Sequence, residues 1–150
     1  MNIWLRRFFG FWPLAGSAIG LGAVLPSLLT IQRLGLAQQL VLGGTVAIFA
    51  WGLWCGFRML EGHPAALRGN RNFWLVQIPV LQTPLLSYAL FSGLQLETTF
   101  NFSSLAFGVD WNLLGAQLTF DLGNGRRPVV AGVNVAALLA TLYLGSKVKR

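Results

Sequence analysis

Charged residues are scarce in this chain of 150 residues: they make up 10 % of the sequence, and four of them are acidic. Soluble domains average about 25 % charged residues. Hydrophobic residues account for 55 %, and the mean hydropathy is +0.62. A soluble core of this size cannot bury so much apolar surface. The composition therefore predicts an integral membrane protein.

Cysteine and histidine are nearly absent as well. The single cysteine, Cys55, excludes an internal disulfide, a four-thiolate metal site and quinone-linked disulfide chemistry. The single histidine, His63, follows Glu61 in a loop of turn-forming residues, with no other ligand type nearby. We therefore predict no catalytic residue, no metal site and no cofactor.

The basic residues lie at the ends of apolar runs. The net charge is +7, but the basic residues form no cluster interleaved with aromatic residues, which is the pattern of nucleic-acid surfaces. Their placement is typical of topology signals and of contacts with anionic lipid headgroups. The expected partner is therefore membrane lipid, and nucleic acid is not expected.

Four apolar runs are long enough to cross the hydrocarbon core of a bilayer, which is about 30 Å thick. They predict transmembrane helices at about 8–31, 38–58, 73–94 and 128–146. None has an Asp, Glu, Lys, Arg or His in its interior, which disfavours proton-coupled transport and intramembrane hydrolysis. The predicted fold class is an all-α integral membrane protein, a single membrane domain (1–150) built as a four-transmembrane-helix bundle.

Both termini are predicted to be cytoplasmic. With four spans, eight basic residues lie on the side of the termini, and Arg33, Arg126 and Arg127 lie on the other. Cytoplasmic loops carry the excess of Lys and Arg. The expected location is the bacterial inner (plasma) membrane, with the N terminus and the C terminus inside.

Small residues recur at four-residue spacing in three of the runs, and such spacing lets helix backbones approach closely. The predicted packing positions are Gly16, Gly20, Gly52, Gly56, Gly132 and Ala136. Packing within the bundle and packing against another chain are both compatible with this pattern.

The third run carries glutamines and two prolines, Pro79 and Pro84. Each proline lacks a backbone N–H and frees a carbonyl four residues earlier, which lipid cannot satisfy. We therefore expect this helix to face protein or a wet cavity. The candidate polar lining consists of Gln77, Gln82 and Tyr88, joined by Asn134 of the fourth run.

Residues 95–127 have a different texture, because aromatic and aliphatic residues alternate with small or polar ones. A period of two with aromatic and Thr enrichment predicts strands. We expect a small extracytoplasmic β-like segment between the third and fourth helices, resting on the bundle because an isolated hairpin is marginal in water. Its candidate partner surface is Phe100, Phe102, Phe107 and Trp111.

Three acidic residues, Glu97, Asp110 and Asp121, fall in this segment with Arg126 and Arg127. Salt bridges and turn caps are one explanation. Paired carboxylates that act as acid and base on a lipid headgroup are another. No nucleophile–base pair, phosphate-binding loop or zinc motif accompanies them in the sequence.

Three functions are compatible with these patterns. The first is a non-enzymatic subunit, or accessory or assembly factor, of a membrane complex, which the small-residue faces and the aromatic segment favour. The second is a small transporter or channel for a neutral or lipid-like molecule, lined by the polar residues of the third helix. The third is a lipid-headgroup enzyme at the outer membrane face. The expected protein partners are other membrane subunits or further copies of this chain.

Overall fold

Four α-helices and four antiparallel strands make up the parts of the chain described by the computed structural model, residues 2–122 and 128–148. The helices are α1 (Ile3–Leu29), α2 (Leu36–Glu61), α3 (Ala66–Leu75) and α4 (Val135–Val148), with a short 3-10 helix (Ile31–Arg33) between α1 and α2. The strands are β1 (Pro79–Gln82), β2 (Leu86–Asn101), β3 (Ala106–Leu122) and β4 (Val130–Asn134). The protein is mixed α/β, and the predicted all-α four-helix bundle is wrong.

The first two apolar runs form the helices α1 and α2. The Asn2 side chain caps the start of α1 by accepting from the Trp4 amide at 3.2 Å, and α2 ends at Gly62, which adopts a left-handed backbone with φ +80°. Both helices are long and apolar enough to cross a membrane. Of their most apolar stretches, only 33 % and 22 % are buried inside the protein.

Glycines allow α1 and α2 to pack closely. A Cβ on Gly56 would meet the Gly10 carbonyl oxygen at 2.7 Å, and one on Gly20 would meet the Phe49 ring at 2.7 Å. Gly52 lies against Ser17 and the ring of Phe73. These three glycines are therefore occupied by contacts within the chain.

The predicted third helix, 73–94, is wrong because its chain forms the end of α3, all of β1 and half of β2. Pro79 is the first residue of β1, a position that tolerates a missing N–H. Pro84 lies in the β1–β2 turn, where the Leu86 amide donates to Thr83 Oγ1 at 2.9 Å and the Thr83 amide donates to the Leu86 carbonyl at 2.8 Å. A buried strand and a buried helix are both apolar runs, so hydropathy did not separate them.

The predicted fourth helix, 128–146, is wrong in its first part. Residues 130–134 form β4, and Gly132 lies there rather than on a helix face: a Cβ would meet the Thr98 carbonyl oxygen at 2.6 Å. The remaining helix α4 has 14 residues, or about 21 Å at 1.5 Å per residue. It is too short to span a hydrocarbon core of about 30 Å.

The sheet is organised around a long ribbon made by β2 and β3. The ribbon pairs from Leu86 opposite Leu122 to Asn101 opposite Ala106. Strand character was predicted for residues 95–127, but the ribbon begins nine residues earlier, at Leu86. Between Gly93 opposite Gly115 and Gln95 opposite Asn112, β3 has one extra residue, which is a β-bulge.

Near the bulge the ribbon bends, so that β1, β4 and the two halves of β2 form a closed set of strand pairings. On one edge β1 pairs with β2 at 87–89, on its other edge it pairs with β4, and β4 pairs in turn with β2 at 97–101. Because all three pairings are antiparallel, β2 must change direction between its two paired segments. Gly93, with φ +97°, lies at this bend. The strand β3 pairs with β2 alone, so among the described strands its outer edge is open.

The sheet packs against the middle of α1. A Cβ on Gly16 would collide with the backbone of Gly93, and one on Gly93 would meet the Trp12 carbonyl oxygen. A second core joins the start of α1 to the end of α2, to α3 and to α4. Its buried members are Phe9, Met59, Ala66, Trp74, Ala137, Ala140 and Leu144.

Candidate functional site

A buried polar seam joins α1 to α3 and β2. Pro13 cannot donate to the Phe9 carbonyl four residues earlier, and the Asn70 side chain donates to that carbonyl at 3.0 Å instead. The Ser92 hydroxyl donates to the Pro13 carbonyl at 3.4 Å and is hydrogen-bonded to the Ser17 hydroxyl at 2.9 Å. Asn70, Ser17 and Ser92 are fully buried. The seam therefore satisfies the helix defect and fixes the sheet on α1.

Gln77, a candidate lining residue, belongs to this seam. Its side-chain amide donates to the Phe73 carbonyl at 3.1 Å, and its Oε1 accepts from the Ser92 amide at 2.7 Å. It is fully buried. Both ends of the side chain are thus engaged in holding α3 against β2.

The other three candidate lining residues lie in three further places. The Tyr88 hydroxyl donates to the Val76 carbonyl at 2.6 Å, and burial raises the pKa of Tyr88. Asn134 Oδ1 accepts from the amides of Leu96 and Ala137 at the start of α4. Gln82 faces a polar pocket inside the bent sheet. The four residues therefore share no common cavity.

The polar pocket has a volume of about 340 Å³ and lies inside the bend of the β2–β3 ribbon. Glu97 and Asp110 face each other across the two strands, and Gln95 Nε2 donates to Glu97 Oε2 at 2.6 Å. Burial raises the pKa of Glu97, the hydrogen bond from Gln95 lowers it, and the negative charge of Asp110 raises it further. A carboxyl group with a raised pKa is suited to proton transfer.

The structure brings together only two of the three acids singled out in the sequence. Asp121 lies at the far end of β3, beside the turn between α1 and α2, and Arg126 and Arg127 fall outside the described residues. Within residues 2–122 and 128–148, no three His, Cys, Asp or Glu side chains are grouped as metal ligands.

An apolar groove of about 650 Å³ lies between the start of α1, α4 and the bulge region of β3. Its walls include Phe8, Trp111, Leu113, Ala136 and Tyr143. Trp74 also lines it and is only 1 % exposed, yet its indole N–H has no hydrogen-bond partner in the described structure. Ala136, which the sequence predicted as a helix-packing position, therefore lines the apolar groove.

The β2–β3 ribbon leaves one apolar face uncovered beyond the bulge. Phe107, Val109, Trp111 and Leu113 alternate along β3, and Phe107 and Trp111 are 68 % and 71 % exposed. Phe100 pairs with Phe107 across the ribbon and contacts the ring of Phe102 edge-on at 5.0 Å. We call Phe100, Phe107, Val109, Trp111 and Leu113 the outer apolar face; at Trp111 and Leu113 this face continues into the apolar groove. It contains three of the four residues of the predicted partner surface.

One end of the molecule combines basic and aromatic side chains. Arg7 lies 5.8 Å from the Trp4 ring, Arg58 lies 5.2 Å from the Trp54 ring and Lys147 lies 5.5 Å from the Tyr143 ring. Stacking of Phe9 on Tyr143, with ring centroids 5.2 Å apart, brings the start of α1 to the end of α4. Arg6 lies against Gly62, which brings it to the end of α2.

Sequence reasoning placed the basic residues at helix ends but missed these pairs. The signal was the spacing of three or four residues between aromatic and basic residue, which brings the two side chains together on one helix face. The polar pocket was missed because it depends on the bend at Gly93.

The apolar groove, the outer apolar face with the β3 edge, and the polar pocket are open on the surface of the described structure. The function is inferred from these features and from the two membrane-length helices. Comparison with protein-family models, with curated proteins and with solved structures finds no match for this chain.

Proposed function

We propose that this protein is a non-enzymatic subunit or accessory factor of a membrane complex, anchored by α1 and α2. The two helices carry large apolar side chains that the rest of the chain leaves uncovered. Leu29, Leu36 and Leu40 are 85 %, 73 % and 69 % exposed. The core helix of a soluble protein would bury such residues, whereas a bilayer accommodates them.

The same two helices give the proposed topology. Arg6, Arg7 and Arg58 lie at one end of the hairpin, with Lys147 of α4 nearby, and Arg33 lies at the other end. The positive-inside rule then places the first end in the bacterial cytoplasm, with both termini inside. The extracytoplasmic placement of residues 95–127 depended on a third membrane-spanning helix, which does not exist, and it is not part of this proposal.

The proposal of a protein partner rests on the open edge of β3 and on the outer apolar face. The sheet flanks the hairpin, since Gly93 touches Gly16 and since Leu118 and Phe120 share a cavity with Leu40 of α2. At membrane depth, lipid cannot satisfy an open strand edge. In water, a long apolar edge strand is prone to aggregate. A second protein surface resolves both problems.

The partner surface is therefore the sheet rather than the small-residue helix faces. Gly16, Gly20, Gly52 and Gly56 are in contact with side chains or backbone of this chain. Among the described residues, the outer apolar face combines exposed aromatic rings with the unpaired backbone groups of the β3 edge. Strand addition to such an edge supplies affinity through main-chain hydrogen bonds.

Of the alternative functions, acid–base chemistry on a lipid headgroup keeps one supporting observation. Glu97 and Asp110 face each other, and the pKa of Glu97 is raised. The transporter alternative lacks such support, because its four candidate residues lie in different parts of the structure and do not line a common cavity. We therefore rank it last.

Site-specific photo-crosslinking in native membranes tests the proposal. A photoreactive amino acid replaces Val109 on the outer apolar face, and a matched variant carries it at Leu25, on the exposed side of α1. We expect a discrete protein adduct from position 109 and lipid adducts from position 25. An adduct composed of two copies of this chain would identify a homo-oligomer. Absence of protein adducts at position 109 in correctly inserted protein would refute the proposal.

A further inference from the structure

We propose that the apolar groove binds one acyl chain of an anionic phospholipid, with the headgroup held by Arg7 and Lys147 at the groove's basic end. This inference rests on the membrane anchoring proposed above. It concerns a specific lipid site and not the general contact of the helices with the bilayer.

The walls of the groove fit a hydrocarbon chain. Its volume of about 650 Å³ lies within the usual range of small-molecule pockets, about 300–1,000 Å³. Apart from Gln95, whose amide is donated to Glu97, the lining side chains are apolar or aromatic. Water in such a groove would find few hydrogen-bond partners.

Trp74 adds a polar requirement that a pure hydrocarbon does not meet. Its indole N–H is buried and has no acceptor in the described structure. A buried donor without an acceptor is unfavourable. The ester carbonyl of a glycerophospholipid is an acceptor attached directly to an acyl chain, so a lipid in the groove brings an acceptor to the side chain of Trp74.

The charges around the groove favour an anionic headgroup. Lys147 lies over the ring of Tyr143, which lines the groove. Arg7 lines a neighbouring cavity together with Phe8, and Phe8 borders both cavities. Arg71 lies next to Gly145, two residues after Tyr143 in α4. The nearby carboxyl group of Glu97 faces the polar pocket, on the opposite side of the sheet. Clustered basic residues bind phosphate groups, so we expect the headgroup to be an anionic phosphate.

The test uses the full-length protein in nanodiscs of phosphatidylcholine that contain phosphatidylglycerol with a diazirine at the end of one acyl chain. Mass spectrometry maps the crosslinked peptides. We expect adducts on both α4 and the bulge region of β3, and we expect unlabelled phosphatidylglycerol to compete roughly 10-fold better than phosphatidylcholine. Equal competition by the two lipids would overturn the anionic assignment.

A matched pair of α4 variants tests the groove itself. Ala136→Phe adds a ring inside the groove, and Leu142→Phe makes a similar change on a residue that is 62 % exposed and does not line it. We expect groove adducts to fall about 10-fold in the first variant and to persist in the second. Ala136→Val serves as a smaller step if the phenylalanine prevents folding. Equal labelling of the folded variants would overturn the proposal.

Two further variants separate the headgroup from the acyl chain. Arg7→Gln with Lys147→Gln should abolish the preference for phosphatidylglycerol and keep the groove adducts. Trp74→Phe should weaken lipid retention by roughly 5- to 10-fold, and the melting temperature of the lipid-free variant measures separately the cost of the cavity left by the smaller ring. If the wild-type protein does not insert in nanodiscs, membrane anchoring itself fails; if it inserts without groove adducts, only the lipid site fails.

Discussion

Pro13 and Asn70 depend on one another across two helices. The Asn70 amide replaces the donor that proline removes from the Phe9 carbonyl. We expect Asn70→Leu to lower the free energy of unfolding by about 1–3 kcal/mol, because it leaves that carbonyl buried and unpaired. Pro13→Ala restores the helical N–H, so Asn70→Leu should be less damaging in that background.

Chemical denaturation in detergent of the wild type, both single variants and the double variant measures this coupling. The double-mutant cycle isolates the interaction from the separate packing changes. Strict additivity of the two substitutions would show that Asn70 does not compensate for the proline.

Glu97 predicts a pH dependence of stability. Burial is the largest cause of its raised pKa, above the ordinary value of 4.5. The folded state therefore holds this proton more tightly than the unfolded state, and stability falls as pH rises from about 4.5 through the folded pKa. Glu97→Gln should remove that decline and be more stable at neutral pH.

Thermal melts of both proteins between about pH 4 and pH 8 measure the difference. Asp110→Asn provides the control: it removes the neighbouring charge, so the decline should move to lower pH. Superimposable profiles for the wild type and Glu97→Gln would contradict the prediction.

At the scale of elements, the start of α4 depends on Asn134. Its Oδ1 accepts from the Ala137 amide at 3.2 Å and from the Leu96 amide at 3.4 Å, which joins helix and sheet. We expect Asn134→Ala to lower the free energy of unfolding by about 1–2 kcal/mol. Thr141→Val in the same helix should be neutral or slightly stabilising, because the Thr141 hydroxyl is buried without a partner among the described residues. Thermal unfolding compares them, and equal losses would argue against the cap.

The elements differ in how far the sequence reveals them. The helices α1 and α2 are long, mainly apolar segments, and the predicted ranges 8–31 and 38–58 differ from their bounds by two to five residues at each end. The strands β1 and β2 lie in a run whose hydropathy is similar to that of the two long helices. Residues that mark the ends of these strands were present in the sequence, because Pro79 and Pro84 suit a strand start and a turn better than a helix interior. Both prolines were instead placed inside the predicted third helix, 73–94.

The candidate sites depend on contacts that local patterns do not encode. Gln77 and Tyr88 would fall on one stripe of a continuous helix, but in the structure Gln77 lies between α3 and β1 and Tyr88 lies in β2. Glu97 and Asp110 meet through strand register, which is set by the long-range pairing of two strands. The alternation of aromatic residues in β3 is local, and for that reason the outer apolar face was largely predictable.

For the whole molecule, the proposed topology predicts opposite labelling of two introduced cysteines. Gln32→Cys lies between α1 and α2, and Ser146→Cys lies near the end of α4; both positions are exposed. An impermeant maleimide should label the first in intact spheroplasts and the second only after permeabilisation. The native Cys55 is buried and serves as the unlabelled background. Labelling of both sites from one side would contradict a spanning hairpin.

The closed ring of strands imposes an order on synthesis. The hairpin of α1 and α2 leaves the ribosome first, while the partners of the Phe9 carbonyl and of Ser17 are still unmade. The pairing of β1 with β4 joins Val80 to Gly132 and must wait for nearly the whole chain. A nascent chain that stops before Val130 lacks β4, so the backbone groups of β1 that pair with β4 stay unpaired. Quality-control proteases recognise such exposed strand edges.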